Sequence, residues 1–285
     1  MTDSTQKAIQ TDAEALLQNV EIEDIGPPPS QKSKIWIIRL CSIVFVIAAW
    51  EVLGRQVDPL FMSFPSAIAV SAVRLISTGE LLVALMSSLR SLIVAFLIAS
   101  GIGIGLGLLI GRYKAVDAAT DWLVNALYAT PLVAVIPLVI LWFGIDEGAK
   151  LFLISVAVFF PIYINTFHGI RTVDPQLLEM ARSYGYRGFS LFWRVILPSA
   201  LPSIFVGLRY ALGIMWLTLI VAETIAAQSG LGYMAMSARE FMQTDVVVLA
   251  ILIYASLGKV ADLLVRLFES LTLSWHPAYA KGVRV

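Results

Sequence analysis

Six apolar runs separated by short polar connections set the pattern of this chain. They cover roughly 35–53, 84–111, 121–143, 150–171, 201–226 and 246–271, each with about the 20 apolar residues that a helix needs to cross a bilayer. Ahead of them, residues 1–34 are polar, with Glu21, Glu23 and Asp24 followed by Gly26 and three prolines. That pattern predicts a flexible tail ending in a stiff spacer. No apolar run begins near Met1, which argues against a cleaved secretory signal. Between the first two runs, the stretch from Ser63 to Ile76 has Pro65 placed for a helix first turn and apolar residues at helical spacing. It predicts a short interfacial helix. The expected organisation is a tail at 1–34, a membrane domain at 35–275 and a second tail at 276–285.

Composition agrees with the pattern: 59% of residues are hydrophobic and 14% charged, and the mean hydropathy is +0.84. This is an all-α polytopic membrane protein by class. A formal net charge of zero suggests no nucleic-acid partner. The lone Cys41 excludes an internal disulfide, and two distant histidines give no metal-ligand spacing. With the amino terminus inside, the inner segments hold Lys32, Lys34, Arg39, Arg112, Lys114, Arg171, Arg182, Arg187, Arg194, Lys281 and Arg284. The outer segments hold mainly Arg55, Arg74, Lys150 and Arg239. The asymmetry predicts that both termini are cytoplasmic.

Several features inside the runs carry candidate chemistry. Gly103, Gly107 and Gly111 recur every four residues, on one helix face open to a close neighbour. Their spacing and apolar setting do not suit a phosphate, and no GxxxxGK[ST] motif occurs, so this chain is not expected to hydrolyse ATP. Pro131 and Pro137 should kink or interrupt the third span, which makes it either a pathway wall or a structural bend. Asn165 and His168 share a face near the inner end of the fourth span, where bonding between helices is a simpler reading than substrate contact. In the fifth span, Arg209, Gly213, Trp216, Ile220 and Glu223 form one stripe. Charges at membrane depth face a bundle interior or a wet cavity. Arg209 and Trp216 are therefore pathway or gate candidates, and Glu223 a structural or gate partner. Lys259 is expected to snorkel or to pair with Asp262, and Arg90 to anchor the outer interface.

The most charged and aromatic segment of the second half is DPQLLEMARSYGYRGFSLFWRVILP, Asp174 to Pro198. It joins Arg182, Arg187 and Arg194 to Tyr184, Tyr186, Phe189, Phe192 and Trp193 between two apolar runs. Those residue types are enriched where proteins grip one another.

Glu179-Met180-Ala181, three residues, Gly185, nine residues and Val195-Ile196-Leu197-Pro198 resemble the signature of permease subunits of bacterial ATP-binding-cassette importers. Met180 and Val195 depart from it conservatively. IPLVILWFGIDE, FPIYINTFHGIR, MWLTLIVAETI, GLGYMAMSAREFMQTDVVV and SWHPAY resemble the nitrate/sulfonate/taurine branch, and within it the permeases for aliphatic sulfonates. The likeness spans about 35–280.

What the resemblance implies is the six-helix, MetI-like permease fold of type I importers in the bacterial inner membrane. It also implies a homodimer, two cytoplasmic ATPase subunits that carry ATP and Mg, and an external substrate-binding protein. Over 174–198 it implies a pair of short coupling helices that dock in the ATPase, using Glu179, Ala181, Arg182, Tyr184, Gly185, Arg187, Phe189, Leu197 and Pro198. Substrate, a sulfonate or another small oxyanion, would pass along the third to fifth spans. An ion-gradient carrier is the competing class, but no inverted repeat is visible. A membrane-embedded enzyme lacks any paired acid and base.

Overall fold

The computed structural model describes residues 29–58, 60–225 and 227–273, all helices and their connections. The tail expected at 1–34 falls outside these residues up to position 28, and so does the second tail with Lys281 and Arg284. In order the helices are α1 (Pro29–Gly54), α2 (Pro65–Thr78), α3 (Glu80–Arg112), α4 (Lys114–Ala129), α5 (Leu132–Phe143) and α6 (Glu147–Arg171). They continue with α7 (Pro175–Ser183), α8 (Gly188–Leu191), a π-helical segment (Phe192–Ile196), α9 (Leu197–Ile225), α10 (Leu231–Glu240) and α11 (Thr244–Thr272). Among the described residues, five apolar stretches are long enough to cross a membrane: Ile35–Gly54, α3, α6, Gly188–Ile225 and α11. The bent pair α4 and α5 is apolar enough to cross only when taken together, which brings the number to the six of the apolar pattern if the pair is one span.

The chain divides into two compact units, one ending at Gln56 and one beginning at Val57. In the first, the Ile35–Gly54 stretch of α1 is apolar on every side apart from Arg39 and Glu51, as a lipid-facing helix is. In the second, α6 is the central post between α3 and α9. Lipid offers no hydrophobic drive for helices to pack, so close backbone approach must supply the attraction. The glycine stripe does this. A Cβ on Gly103 would press on Ile162, one on Gly107 would sit 2.7 Å from Thr166, and one on Gly111 would press on Ile170. On the other side of α6, Gly207 of α9 lies against Asn165 and Pro161, and Gly169 of α6 against Ala200 and Ser203. Near one end, Ile136, Val139, Ala149, Leu153 and Ala222 join α5, α6 and α9 in a buried cluster.

The third span breaks by 96° between α4 and α5. Thr130 and Pro131 are extended there, because proline cannot donate to the preceding turn and disfavours a helical residue before it. Pro137 stays inside α5. The interfacial helix is α2: Pro65 stands in its first turn, Ile68 and Leu75 are buried, and Ser71 bonds to Asp245 of α11.

Candidate functional site

The Asp174–Pro198 segment folds from local rules. Asp174 caps α7 by accepting the Gln176 N–H at 2.8 Å, with Pro175 in the first turn. α7 ends in a Schellman turn: Gly185 N–H donates to Arg182 C=O at 3.0 Å and Tyr186 N–H to Ala181 C=O at 3.1 Å. Gly185 has φ +87° in this turn, a left-handed conformation that glycine adopts without steric cost. Ala181 and Leu191 are buried and seat the segment. Its outer face is wide open: Tyr184 and Phe189 are 79% and 78% exposed, and Phe189 stacks on Trp193 at 6.0 Å. Arg194 lies over the Tyr186 ring, while Glu179, Arg182 and Arg187 are exposed around it. The second helical piece is not a free-standing short helix. It runs on through the π-helical segment into α9, so Gly188–Ile225 is one apolar stretch. Leu197 and Pro198 open α9, where the widened turn accommodates a proline that cannot bond to Arg194 C=O.

The Arg209 stripe faces α11, a helix of the same chain. Arg209 pairs with Glu269, whose side chain is 3% exposed. Trp216 meets Tyr254 edge-on at 6.4 Å and lies over Gly258. Glu223 is buried and accepts from Ser88 Oγ (2.7 Å), Tyr254 OH (2.7 Å) and Gly232 N–H (2.8 Å), with Lys150 Nζ at 3.7 Å. Ser88 in turn accepts the Leu231 N–H. This centre ties α3, α6, α9, α10 and α11 together. Its geometry is that of a seam inside one protomer, while Arg209 stays 37% exposed in its side chain and Gly213 is open.

Lys150 requires a correction. It is not an outer-loop charge but a residue of the first turn of α6, buried beside Glu223. A lysine at a helix amino terminus opposes the helix dipole, and that mismatch was the available signal of a carboxylate partner. Asn165 is corrected too. Its amide donates to Pro161 C=O of its own helix at 2.8 Å instead of bridging helices. The two residues on that face also differ in setting, since Asn165 is half-buried against Gly207 and His168 is exposed beside Phe167. Lys259 lies 4.0 Å from Asp262, which Arg266 also bonds. Among the described residues no group of three His, Cys, Asp or Glu could hold a metal.

Residues 103–273 match the family model described as the binding-protein-dependent transport system inner membrane component. The chain belongs to this family. Among curated proteins it is 49% identical over 251 residues to the aliphatic sulfonates transport permease protein SsuC of Escherichia coli (strain K12), covering 86% of this chain and 95% of that protein. It is 40% identical over 273 residues to the SsuC of Bacillus subtilis (strain 168), covering 95% and 99%. Among solved structures, an amino acid ABC transporter with histidines aligns with TM-score 0.55 at 21% identity, over 70% of this chain and 96% of that one. The inward-facing MetNI methionine ABC transporter aligns with TM-score 0.51 at 21% identity, over 67% and 96%. At that identity the two structures establish the MetI-like fold alone. This importer permease is thus a multi-pass membrane protein with two distinct polar features: the exposed turn after α7 and the buried Glu223 centre.

Proposed function

We propose that this chain is the membrane-spanning permease of an importer for aliphatic sulfonates, powered by ATP hydrolysis on separate subunits. The exposed aromatic and arginine face around Gly185 carries the reading. Phe189, Trp193, Tyr184 and the surrounding arginines present large rings and forked donors to an aqueous partner, as protein-binding anchors do. That partner is an ATPase subunit, one for each of two permease copies, holding ATP and Mg. Glu179, Arg182, Tyr184, Gly185, Arg187 and Phe189 make the docking face, Ala181 seats it, and Leu197 and Pro198 join it rigidly to α9. The α7 end is cytoplasmic in the inner membrane, with both termini on that side, and the α10 end receives substrate from an external binding protein. The pathway wall consists of α4–α5 with Pro131 and Pro137 and the adjoining faces of α6 and α9.

The sulfonate assignment rests on the 49% identity to the Escherichia coli permease across nearly its whole length. Reconstituted in liposomes with its ATPase subunit and binding protein, the complex should take up a short alkanesulfonate only when ATP is supplied on the α7 side. Uptake driven by a proton gradient without ATP would overturn the reading. Uptake of nitrate with no sulfonate competition would overturn its substrate.

A further inference from the structure

α4 differs from every other long helix of the second unit: none of its sixteen residues is buried. Both of its ends are extended joints, Tyr113 (φ −117°, ψ 108°) after α3 and Thr130 (φ −76°, ψ 121°) before the 96° break. Among the described residues, the polar and ring contacts that tie it to α6 lie at its two ends. Arg171 Nη2 donates to Asp117 Oδ2 at 2.5 Å, and the Tyr128 ring meets Phe160 at 5.6 Å. Between them, Asp121 and Asn125 bond to each other at 2.9 Å on an exposed face. A carboxylate and an amide within an apolar span need water or protein, not lipid, so this face borders a wet space or another protein surface. Arg171 is the last residue of α6, three positions before the Asp174 cap of α7, and its guanidinium is braced at 5.1 Å over the Phe167 ring.

We infer that α4 is a hinged arm of the pathway wall, and that the Asp117–Arg171 ion pair is the latch through which movement of α7 is passed to it. The inference rests on the importer reading, in which α7 is pushed by the ATPase. Force applied at α7 reaches Arg171 through three residues. From there the ion pair is the direct polar route to α4, whose unburied surface lets it swing on its two joints. α5 is held elsewhere, by the buried cluster of Ile136 and Val139 on α6 and α9, so motion of the arm changes the bend at Pro131. Asp117 and Arg171 are positioning residues in this scheme and need not touch substrate.

The test uses the permease with its ATPase subunit in liposomes. Asp117→Asn and Arg171→Gln should each lower alkanesulfonate uptake about tenfold, within the range for one link in a coupling route, while ATP hydrolysis stays within about twofold of wild type. Arg171→Lys keeps the charge and should retain most uptake, and the charge swap Asp117→Arg with Arg171→Asp should recover at least part of it. Spin labels on Ala119→Cys and Thr172→Cys, in a Cys41→Ser background, should report a distance that changes when nucleotide is trapped. The change should vanish in Asp117→Asn. Wild-type uptake in both single variants, a swap no better than the singles, or an invariant label distance in a complex that hydrolyses ATP would overturn the latch. A permease that never assembles with an ATPase would instead count against the importer reading. The label experiment needs no substrate, so an incorrect substrate assignment leaves it readable.

Discussion

The turn after α7 and the Glu223 centre are both rich in charge and hydrogen bonds, yet they are built in opposite ways. The first is assembled within twenty-five consecutive residues from Asp174 to Pro198, and Tyr184, Phe189, Trp193 and its three arginines are exposed. The second draws Ser88, Lys150, Glu223, Gly232 and Tyr254 from five helices and buries them. A contiguous, exposed polar face leaves its groups free to bond outward. A dispersed, buried one has satisfied its carboxylate internally and instead fixes how helices sit against one another. In the second case Glu223 holds three donors, whereas the Lys150 ammonium has the carboxylate at 3.7 Å and no hydrogen bond among the described residues.

The strongest way to break this contrast is to uncouple the buried pair. Glu223→Gln leaves the Lys150 charge buried without a counter-ion, a situation that costs about 3–5 kcal/mol. The variant should lose folded yield in detergent and melt well below wild type. Adding Lys150→Met removes the stranded charge and should restore most of that loss. A Glu223→Gln protein with wild-type melting would show that the pair does not hold the seam.

The exposed face should respond in the opposite way. Phe189→Ala with Trp193→Ala removes a stacked pair already open to solvent, so melting of the isolated permease should barely change. Affinity for the ATPase subunit should fall by about 2 kcal/mol or more, roughly thirtyfold, as for an interface anchor. Pull-down from detergent with titrated ATPase measures it. Unchanged binding would remove these rings from the docking face.

The same contrast explains what could be read from the chain beforehand. The long apolar helices were legible because a bilayer forces long apolar runs, and the glycine stripe because its four-residue period has one physical use at depth. The turn after α7 was legible because Asp174, Gly185 and Leu197-Pro198 act on neighbours a few positions away. The partners of Glu223 were not, since Ser88 lies 135 residues before it and Tyr254 31 after it. No local pattern announces a bond across such separations. The contacts of Arg209 and Trp216 with α11 were hidden for the same reason: the stripe shows that one face is special, but not which helix it meets. Glu269, the partner that decides this for Arg209, is 60 residues away. At Pro131 the interruption was foreseeable, and the 96° angle was not, because it depends on how α5 is held by α6 and α9.

The gentlest test targets backbone shape alone. A Cβ at Gly185 would meet nothing within 4 Å, so Gly185→Ala adds no collision and leaves only the strain of φ +87°. Left-handed backbone costs a residue with a Cβ roughly 1–2 kcal/mol. Because the Schellman turn stands outside the helix bundle, that strain should be relieved by reshaping the turn, with little change in melting. The relaxed turn would tilt α7 against Phe189 and Trp193. Binding to the ATPase should therefore weaken by about tenfold or less, and less than in the double-ring variant. Gly185→Asn, which tolerates left-handed backbone better, should lie between Ala and wild type. An Asn variant no better than Ala would mean that the turn needs an unhindered surface at this position, and the partner's own backbone would then have to approach Gly185 directly.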